Sequence, residues 1–313
     1  MYDLIIIGAG PAGFTAGIYA ARREMKTMII AKEPGGQLMW ASEIENYPGF
    51  KSIKNFELVT KMQEQTTALG VEIKLDEVKE IKKIEDGSFE IKTEKEIFKA
   101  KTVIIAMGLA PRRLEIPGEK EFNGKGVSYC ANCDGPFFKS KTVAVVGGGN
   151  AALDAAEVLS KIASKVYLVH RRDEFKGFEA IVDEVKAREN IELILNSEIK
   201  QISGENKVEK IKVANKDGEE KELAVDGVFI EVGRIAHTDL VEDLVDRDEG
   251  LQIKVGNNFA TKTPGLFAAG DVVSGEFKQI TIACGQATVA ALAAYQYLQL
   301  KSGGEKKPVL DRG

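Results

Sequence analysis

Cys130-Ala131-Asn132-Cys133-Asp134 is the stretch of this chain best equipped for chemistry. Two cysteines separated by two residues can close a small, reducible disulfide. A thiolate of such a pair attacks a second disulfide, and the other thiol then resolves the mixed disulfide. Asp134 follows at once, so a group able to give or take a proton stands beside the sulfurs. The candidate catalytic residues are Cys130, Cys133 and Asp134. Spacing does not assign the attacking role to either cysteine.

Zinc is the competing use of paired cysteines. A structural zinc site takes four ligands. The chain has three cysteines and two histidines, at positions 130, 133, 284, 170 and 237. Cys284 sits among small residues, Ala283-Cys284-Gly285, and reads as an inert packing thiol. The histidines lie far apart, so no metal site is expected.

Two glycine-rich turns bracket the dithiol. Gly8-Ala9-Gly10-Pro11-Ala12-Gly13 follows the apolar run Leu4-Ile5-Ile6-Ile7. Gly147-Gly148-Gly149-Asn150-Ala151-Ala152 follows Val143-Ala144-Val145-Val146. Glycines in this setting permit a tight turn and let the backbone approach a pyrophosphate. The helix that follows offers its N-terminal amides to the phosphates.

An acid about 20 residues after such a turn binds a ribose hydroxyl, whereas an arginine there accommodates a 2′-phosphate. After the first turn, Glu33 stands at the end of Met28-Ile29-Ile30-Ala31 and reads as a ribose ligand or as a surface-loop acid. After the second come His170, Arg171 and Arg172, with Lys176 close behind. Adjacent arginines at a strand end match a phosphate with bidentate donors, which predicts NADPH over NADH. A dithiol placed between two dinucleotide turns suggests an electron path from a nicotinamide, through a flavin, to a disulfide.

The elements that must position these groups repeat within the chain. Each turn lies between a buried strand and a helix rich in small residues, here 14–21 and 153–159. Each unit is followed much later by an apolar strand ending in glycine: Val103-Ile104-Ile105-Ala106-Met107-Gly108 and Val228-Phe229-Ile230-Glu231-Val232-Gly233. The run Leu266-Phe267-Ala268-Ala269-Gly270-Asp271 and an apolar helix over roughly Gln286 to Leu298 have no counterpart near residue 120, so they complete the first unit. The predicted fold is α/β, with two three-layer Rossmann-like dinucleotide-binding domains, the second inserted into the first. Residues 1–113 and 243–313 would form the first domain and residues 114–242 the second, which carries the dithiol. The crossings are expected near Arg112–Ile116 and Thr238–Asp248. Val78-Lys79-Glu80-Ile81-Lys82-Lys83 alternates as a half-exposed strand does, and the polar segment from Lys301 onward is expected to fray.

Composition bounds the rest. At 313 residues, 44% hydrophobic and 29% charged, the chain suits two medium globular domains. A net charge of −5 argues against nucleic acid as a partner. No apolar run approaches the ~18 residues a membrane span needs. The first strand begins almost at Met1, which predicts no targeting segment and a cytoplasmic protein. There thiols are kept reduced, so a catalytic dithiol is expected rather than a structural staple.

Tyr129-Cys130-Ala131-Asn132-Cys133-Asp134-Gly135, the Gly147 turn and His170-Arg171-Arg172 together resemble the low-molecular-weight thioredoxin reductases. So do Gly35-Gly36-Gln37-Leu38, Glu45-Asn46-Tyr47-Pro48-Gly49 and Gly265-Leu266-Phe267-Ala268-Ala269-Gly270-Asp271. The resemblance runs in order along essentially the whole chain. It implies a homodimer with FAD on the terminal domain, NADPH on the inserted one, and thioredoxin or a thioredoxin-like protein as partner; the alternatives are the same core with a glutaredoxin-like protein or small disulfide as acceptor, ferredoxin or a deazaflavin as donor, or a non-enzymatic redox sensor. By resemblance, Gly8, Gly10, Pro11, Ala12 and Gly13 hold the FAD pyrophosphate. Gly36, Gln37, Leu38, Asn46, Ala106 and Gly108 lie along the cofactor. Gly270 and Asp271 hold the ribityl chain, and Gln279 and Ile280 sit over the isoalloxazine ring. Gly147, Gly149, Asn150, Ala151, Ala152, His170, Arg171, Arg172 and Lys176 would bind NADPH. Three departures stand out. Gly233-Arg234-Ile235-Ala236-His237-Thr238 replaces the usual glycine-x-x-proline-asparagine-threonine. Lys176 stands where an arginine is common, and Asn150 where an acid is common.

Overall fold

The structure, a computed structural model, describes residues 1–40 and 43–303. The C-terminal segment expected to fray lies outside the described residues from position 304. The helices are α1 (Pro11–Ala21), α2 (Asn55–Ala68), α3 (Ala131–Asp134), α4 (Asn150–Ser160), α5 (Glu179–Lys186) and α6 (Ile280–Lys301). The chain divides into two compact units, residues 1–110 with 235–313, and residues 111–234. Their two chain crossings are the short strands Ala110–Pro111 and Arg234–Ile235, which pair with each other.

The first unit is organised by the strand Tyr2–Ala9. Leu4, Ile5 and Ile6 are fully buried, because a strand covered on both faces needs a continuous apolar run. It pairs in parallel with Thr27–Pro34 on one side and Ile97–Ile105 on the other, with Ile6 opposite both Ile29 and Ile104. Glu72–Leu75 extends one edge. Leu266–Ala268 joins Ile97–Ile105 in parallel from far along the chain. Phe89–Thr93 and Val78–Lys83 continue the sheet as an antiparallel meander.

Small residues bring the helices of this unit close to the sheet and to each other. Helix α1 buries Ala12, Gly13, Phe14, Ala16, Gly17 and Ala20. A Cβ at Gly17 would stand only 3.1 Å from Ile29 Cδ1. Helix α6 answers with Ala283, Ala287, Ala290, Ala291 and Ala294, in the same apolar cluster as Phe14. Burying Phe14 completely contributes up to about 3 kcal/mol. Helix α6 starts at Ile280, six residues before the position its apolar pattern predicts. Gly285 interrupts that pattern and costs about 1 kcal/mol in a helix. The burial of Ala283 helps hold the first turns helical.

The second unit repeats the plan. Its sheet runs Val127–Ser128, Gly227–Ile230, Thr142–Val146, Lys165–Val169, Ile191–Ile194, all parallel. A separate antiparallel meander of Ser197–Ser203, Lys210–Asn215 and Glu220–Ala224 follows. In each unit the strand before the glycine turn lies between the next strand in sequence and a late strand that runs toward a glycine three residues beyond its end, Ile97–Ile105 before Gly108 and Gly227–Ile230 before Gly233. The strand beyond that comes from outside the repeated segment: Leu266–Ala268 from downstream, Val127–Ser128 from upstream. Among the described residues, no helix is long and apolar enough to cross a membrane.

Candidate active site

The first glycine turn is shaped by contacts that forbid side chains. Gly8 has φ +116°, and a Cβ there would meet the Ala106 carbonyl oxygen at 2.3 Å. A Cβ on Gly13 would stand 1.8 Å from the Gly8 oxygen. At Gly10 the opposite holds: its nearest neighbour would be the Gly35 oxygen at 3.9 Å, and Gly36 in turn faces the Gly10 Cα at 3.8 Å. The two loops therefore leave a side-chain-free cradle between them. Pro11 opens α1, whose first turn has neither an acid nor a side-chain cap. Its N-terminal amides are positioned for an anion.

Around this cradle the fold gathers residues from across the first unit. Gln37 Nε2 donates to Asp271 Oδ2 at 2.8 Å, and Asn46 Nδ2 donates to Gln279 Oε1 at 3.2 Å. Gly270 N donates to Gln286 Oε1 at 2.9 Å, and a Cβ on Gly270 would be 2.9 Å from that of Ala12. Leu38 is buried in the apolar cluster that includes Ala12. Gly108 follows the strand Ile97–Ile105, at φ +64° and facing Gln37 Nε2. Gln279 caps α6 in an extended conformation, immediately before Ile280. Cys284 lies on α6 near the Pro11 carbonyl, with Sγ 3.9 Å from the oxygen. Burial pushes its thiol up, against hydrogen bonds from Thr15 and Tyr47. Such a thiol is a poor nucleophile at neutral pH. Glu33 is exposed at the end of its strand.

The second turn opens onto a cavity of about 740 Å³ within the second unit. Gly147, Gly149, Asn150, Ala151, His170, Arg171, Arg172 and Lys176 line it, and Ala152 packs beneath Gly147. A Cβ on Gly148 would strike the His170 ring at 2.1 Å. That ring stacks on Phe175 with centroids 5.4 Å apart, and its Nε2 pairs with the Glu174 carbonyl at 3.1 Å. Burial, then the charges of Arg172 and Arg171, hold the imidazole below its usual range. It therefore stays neutral at pH 7. Asn150 Oδ1 accepts the Phe178 N–H at 2.8 Å, and the Lys176 N–H donates to the Gly148 oxygen at 2.7 Å. Both tie the loop carrying the arginines to the glycine turn.

Several residues of this cavity are not singled out by the sequence motifs. Arg112 and Arg113 add to its positive wall, and Ser197, Glu198, Lys200 and Glu231 are among the other residues that line it. The Arg112 N–H donates to the Gly233 oxygen at 2.9 Å, which brings this arginine pair beside the strand end. The only local signal was the adjacency of the two arginines near an expected crossing.

Cys130 is disulfide-bonded and Cys284 is free. The Cys133 side chain lies outside the described residues; its backbone is in α3. The Cys130 N–H donates to Ser128 Oγ at 3.1 Å, and the Asp134 N–H closes the turn onto the Cys130 oxygen at 3.1 Å. Just upstream, the Tyr129 hydroxyl donates to Glu119 Oε1 at 2.7 Å. Glu119 also accepts the Leu114 and Glu115 amides at 3.1 and 2.6 Å. This buried carboxylate thus ties the chain after Arg113 to the residue preceding Cys130. Burial and the Glu119 contact push the Tyr129 phenol up.

Glu231 follows the strand Gly227–Ile230, and its N–H donates to the Val146 oxygen at 2.8 Å. Burial pushes its carboxyl up to about 7. Arg234 and a hydrogen bond from the Ala131 N–H pull the other way, while Asp154 adds to the rise.

Known proteins share this arrangement. The family described as pyridine nucleotide-disulphide oxidoreductase matches residues 2–287. The thioredoxin reductase of Treponema pallidum is 40% identical over 95% of this chain and 97% of its own length. A bifunctional thioredoxin reductase/thioredoxin of Mycobacterium leprae is 37% identical over 97% of this chain and 68% of its own. The crystal structure of Lactococcus lactis thioredoxin reductase superimposes with a TM-score of 0.85 at 42% identity, covering 95% of this chain and 99% of that one. With two dinucleotide-type turns, a disulfide at Cys130 and a match along nearly its whole length, the chain belongs to the pyridine nucleotide-disulphide oxidoreductase family.

Proposed function

We propose that this chain is an FAD-containing, NADPH-dependent thioredoxin-disulfide reductase. The observation that carries the reading is the disulfide at Cys130, held in the same unit as an arginine-lined nucleotide cavity. In the overall reaction NADPH and one proton convert one disulfide to two thiols and release NADP⁺. Bound FAD would supply the two-electron relay between nicotinamide and disulfide.

The residues of the first unit fit that cofactor. The cradle at Gly10 and Gly36 leaves room for a pyrophosphate against the amides of α1. The Gln37–Asp271 pair offers an acceptor to sugar-alcohol hydroxyls. In the second unit, Arg171 and Arg172 are exposed at the cavity wall and suit a 2′-phosphate. Lys176 adds charge but not a planar fork. Asp134, next to Cys133 in sequence, is the candidate to give a proton to, or take one from, the dithiol. The thioredoxin fused to the Mycobacterium leprae relative supports a thioredoxin-type partner. The homodimer implied by the resemblance and the cytoplasmic location expected from the sequence belong to the same reading, and light scattering of the purified protein checks the dimer.

Purified yellow protein, assayed for NADPH oxidation with thioredoxin and with dithionitrobenzoate, tests the proposal. Turnover with thioredoxin, lost in Cys133→Ser, is expected. Flavin-loaded protein that turns over no disulfide would sink the reading. Turnover with the small disulfide alone would reassign the acceptor.

A further inference from the structure

Tyr129 joins two features that the reaction described above leaves separate. It immediately precedes Cys130 in the chain, and its ring carries a cation of the nucleotide wall. The Arg113 guanidinium carbon lies 5.9 Å from the ring centroid, within reach of a cation–π contact. Arg113 lines the cavity together with Leu114 and Ile116, and those two apolar residues pack in the same cluster as Tyr129.

The far end of the side chain is anchored. The phenol donates to Glu119 Oε1 at 2.7 Å. Glu119 is only 2% exposed, and its carboxylate also takes the Leu114 N–H at 3.1 Å and the Glu115 N–H at 2.6 Å. Moving it would leave buried donors unpaired. Glu115 has φ +58°, a left-handed conformation that a non-glycine residue keeps only where its surroundings over-determine it. The strand Val127–Ser128 ends one residue before Tyr129, so Tyr129 carries the chain from the sheet toward Cys130 and α3. Ser128 Oγ holds the Cys130 N–H at 3.1 Å, and the phenol supplies a second hold on the same stretch.

We propose that Tyr129 is a positioning residue with two ends: its phenol, seated on Glu119, restrains the Cys130 loop, and its ring seats Arg113 on the nucleotide wall. The proposal rests on the reductase reading in taking the Cys130 disulfide to be reducible and the cavity to accept NADP⁺. The sign at each end follows from freedom lost. Closing a disulfide costs a restrained loop less than a loose one, so removing the phenol should favour the two thiols. A guanidinium already held over a ring loses less freedom on meeting a phosphate, so removing the ring should weaken NADP⁺ binding.

Both effects are read on the flavin-loaded protein without turnover. In dithiothreitol buffers, one dithiothreitol passes two electrons and two protons to the Cys130 disulfide. Two protein thiols and the cyclic oxidised dithiothreitol result. Acid quenching, alkylation and peptide mass spectrometry give the equilibrium constant, and calorimetry gives Kd for NADP⁺. Tyr129→Phe keeps the ring, and Glu119 keeps its two amide donors. It should move the equilibrium about threefold or more toward the thiols and leave Kd within about twofold of wild type. Tyr129→Leu should show the same redox shift and raise Kd about threefold or more. A wild-type equilibrium in Tyr129→Phe would overturn the proposal, and this variant decides where the leucine variant does not fold. Wild-type NADP⁺ affinity in Tyr129→Leu would overturn it too. So would lower melting temperatures with both readouts unmoved, which mark a contact that supports the fold alone. Both shifts present in a protein that turns over no disulfide would sink the reductase reading and leave this one standing.

Discussion

At the scale of single residues, the cavity of the second unit is a set of charges whose consequences can be separated. Arg171 and Arg172 are exposed at the cavity wall, and on the proposed reading their side chains would bind a 2′-phosphate. Charge-assisted hydrogen bonds contribute about 1.5–3 kcal/mol each. Replacing both with Ala should raise KM for NADPH at least about 100-fold and leave KM for NADH nearly unchanged, as steady-state kinetics with the two donors will show. An equal rise for both would remove the arginines from the 2′-phosphate. The same substitution acts on His170. Burial and these arginines depress its pKa, so the unfolded chain takes up the proton at higher pH than the folded one. The resulting stability is fully present above about pH 6.5 and is lost as pH falls through the lowered folded value. Melting temperatures between pH 5 and 7.5 should therefore fall more steeply in wild type than in His170→Asn. The arginine double variant should lie between them, because the repulsion is relieved while the burial remains.

Elements explain which of these residues could be read from the chain and which could not. The glycine turns, the apolar strands before them and the arginine pair are local patterns. Each motif lies within a short window, and the structure places each on a strand end or helix start. Arg112, Arg113 and Glu231 join the same cavity through pairing between distant strands. Glu231 becomes a neighbour of Gly147 only because Gly227–Ile230 lies against Thr142–Val146, more than 80 residues away along the chain. No window of sequence contains that fact. The early start of α6 was hidden for a different reason: Gly285 breaks the apolar period, and tertiary packing of Ala283 outweighs the local preference. The turn itself is the sharpest test at this scale. Gly147 has φ +147°, and a Cβ there would stand 2.3 Å from the Glu231 oxygen and 2.6 Å from Ala152 Cβ. Gly147→Ala should cost about 1–3 kcal/mol and raise KM for NADPH at least about tenfold. Flavin content, read from absorbance, should stay at the wild-type level, because the Gly8 cradle lies in the other unit. Loss of flavin in parallel would show that the turn does not act on the nucleotide cavity alone.

For the whole molecule, two separately packed units imply two separate responses to ligand. Each glycine turn is braced by strands of its own unit: Gly8 by Ala106, Gly147 by Glu231. A ligand that binds the folded form stabilises it by RT ln(1 + [L]/Kd), about 2.7 kcal/mol at a hundredfold excess over Kd. That gain should appear as slower amide exchange where the ligand sits. NADP⁺ added to the holoenzyme should therefore protect residues 147–153 and 170–176 and leave 8–14 and 270–286 unchanged. Stripping the flavin should do the converse, speeding exchange at 8–14, 35–38 and 270–286 and lowering the melting temperature of the first unit. Hydrogen exchange followed by mass spectrometry resolves these segments in one experiment. Protection of residues 8–14 by NADP⁺ would contradict the assignment of one dinucleotide to each unit. Protection confined to the second unit would leave the Gly8 cradle free for the flavin and place the arginine wall, the Gly147 turn and the Cys130 loop on one nucleotide-responsive body.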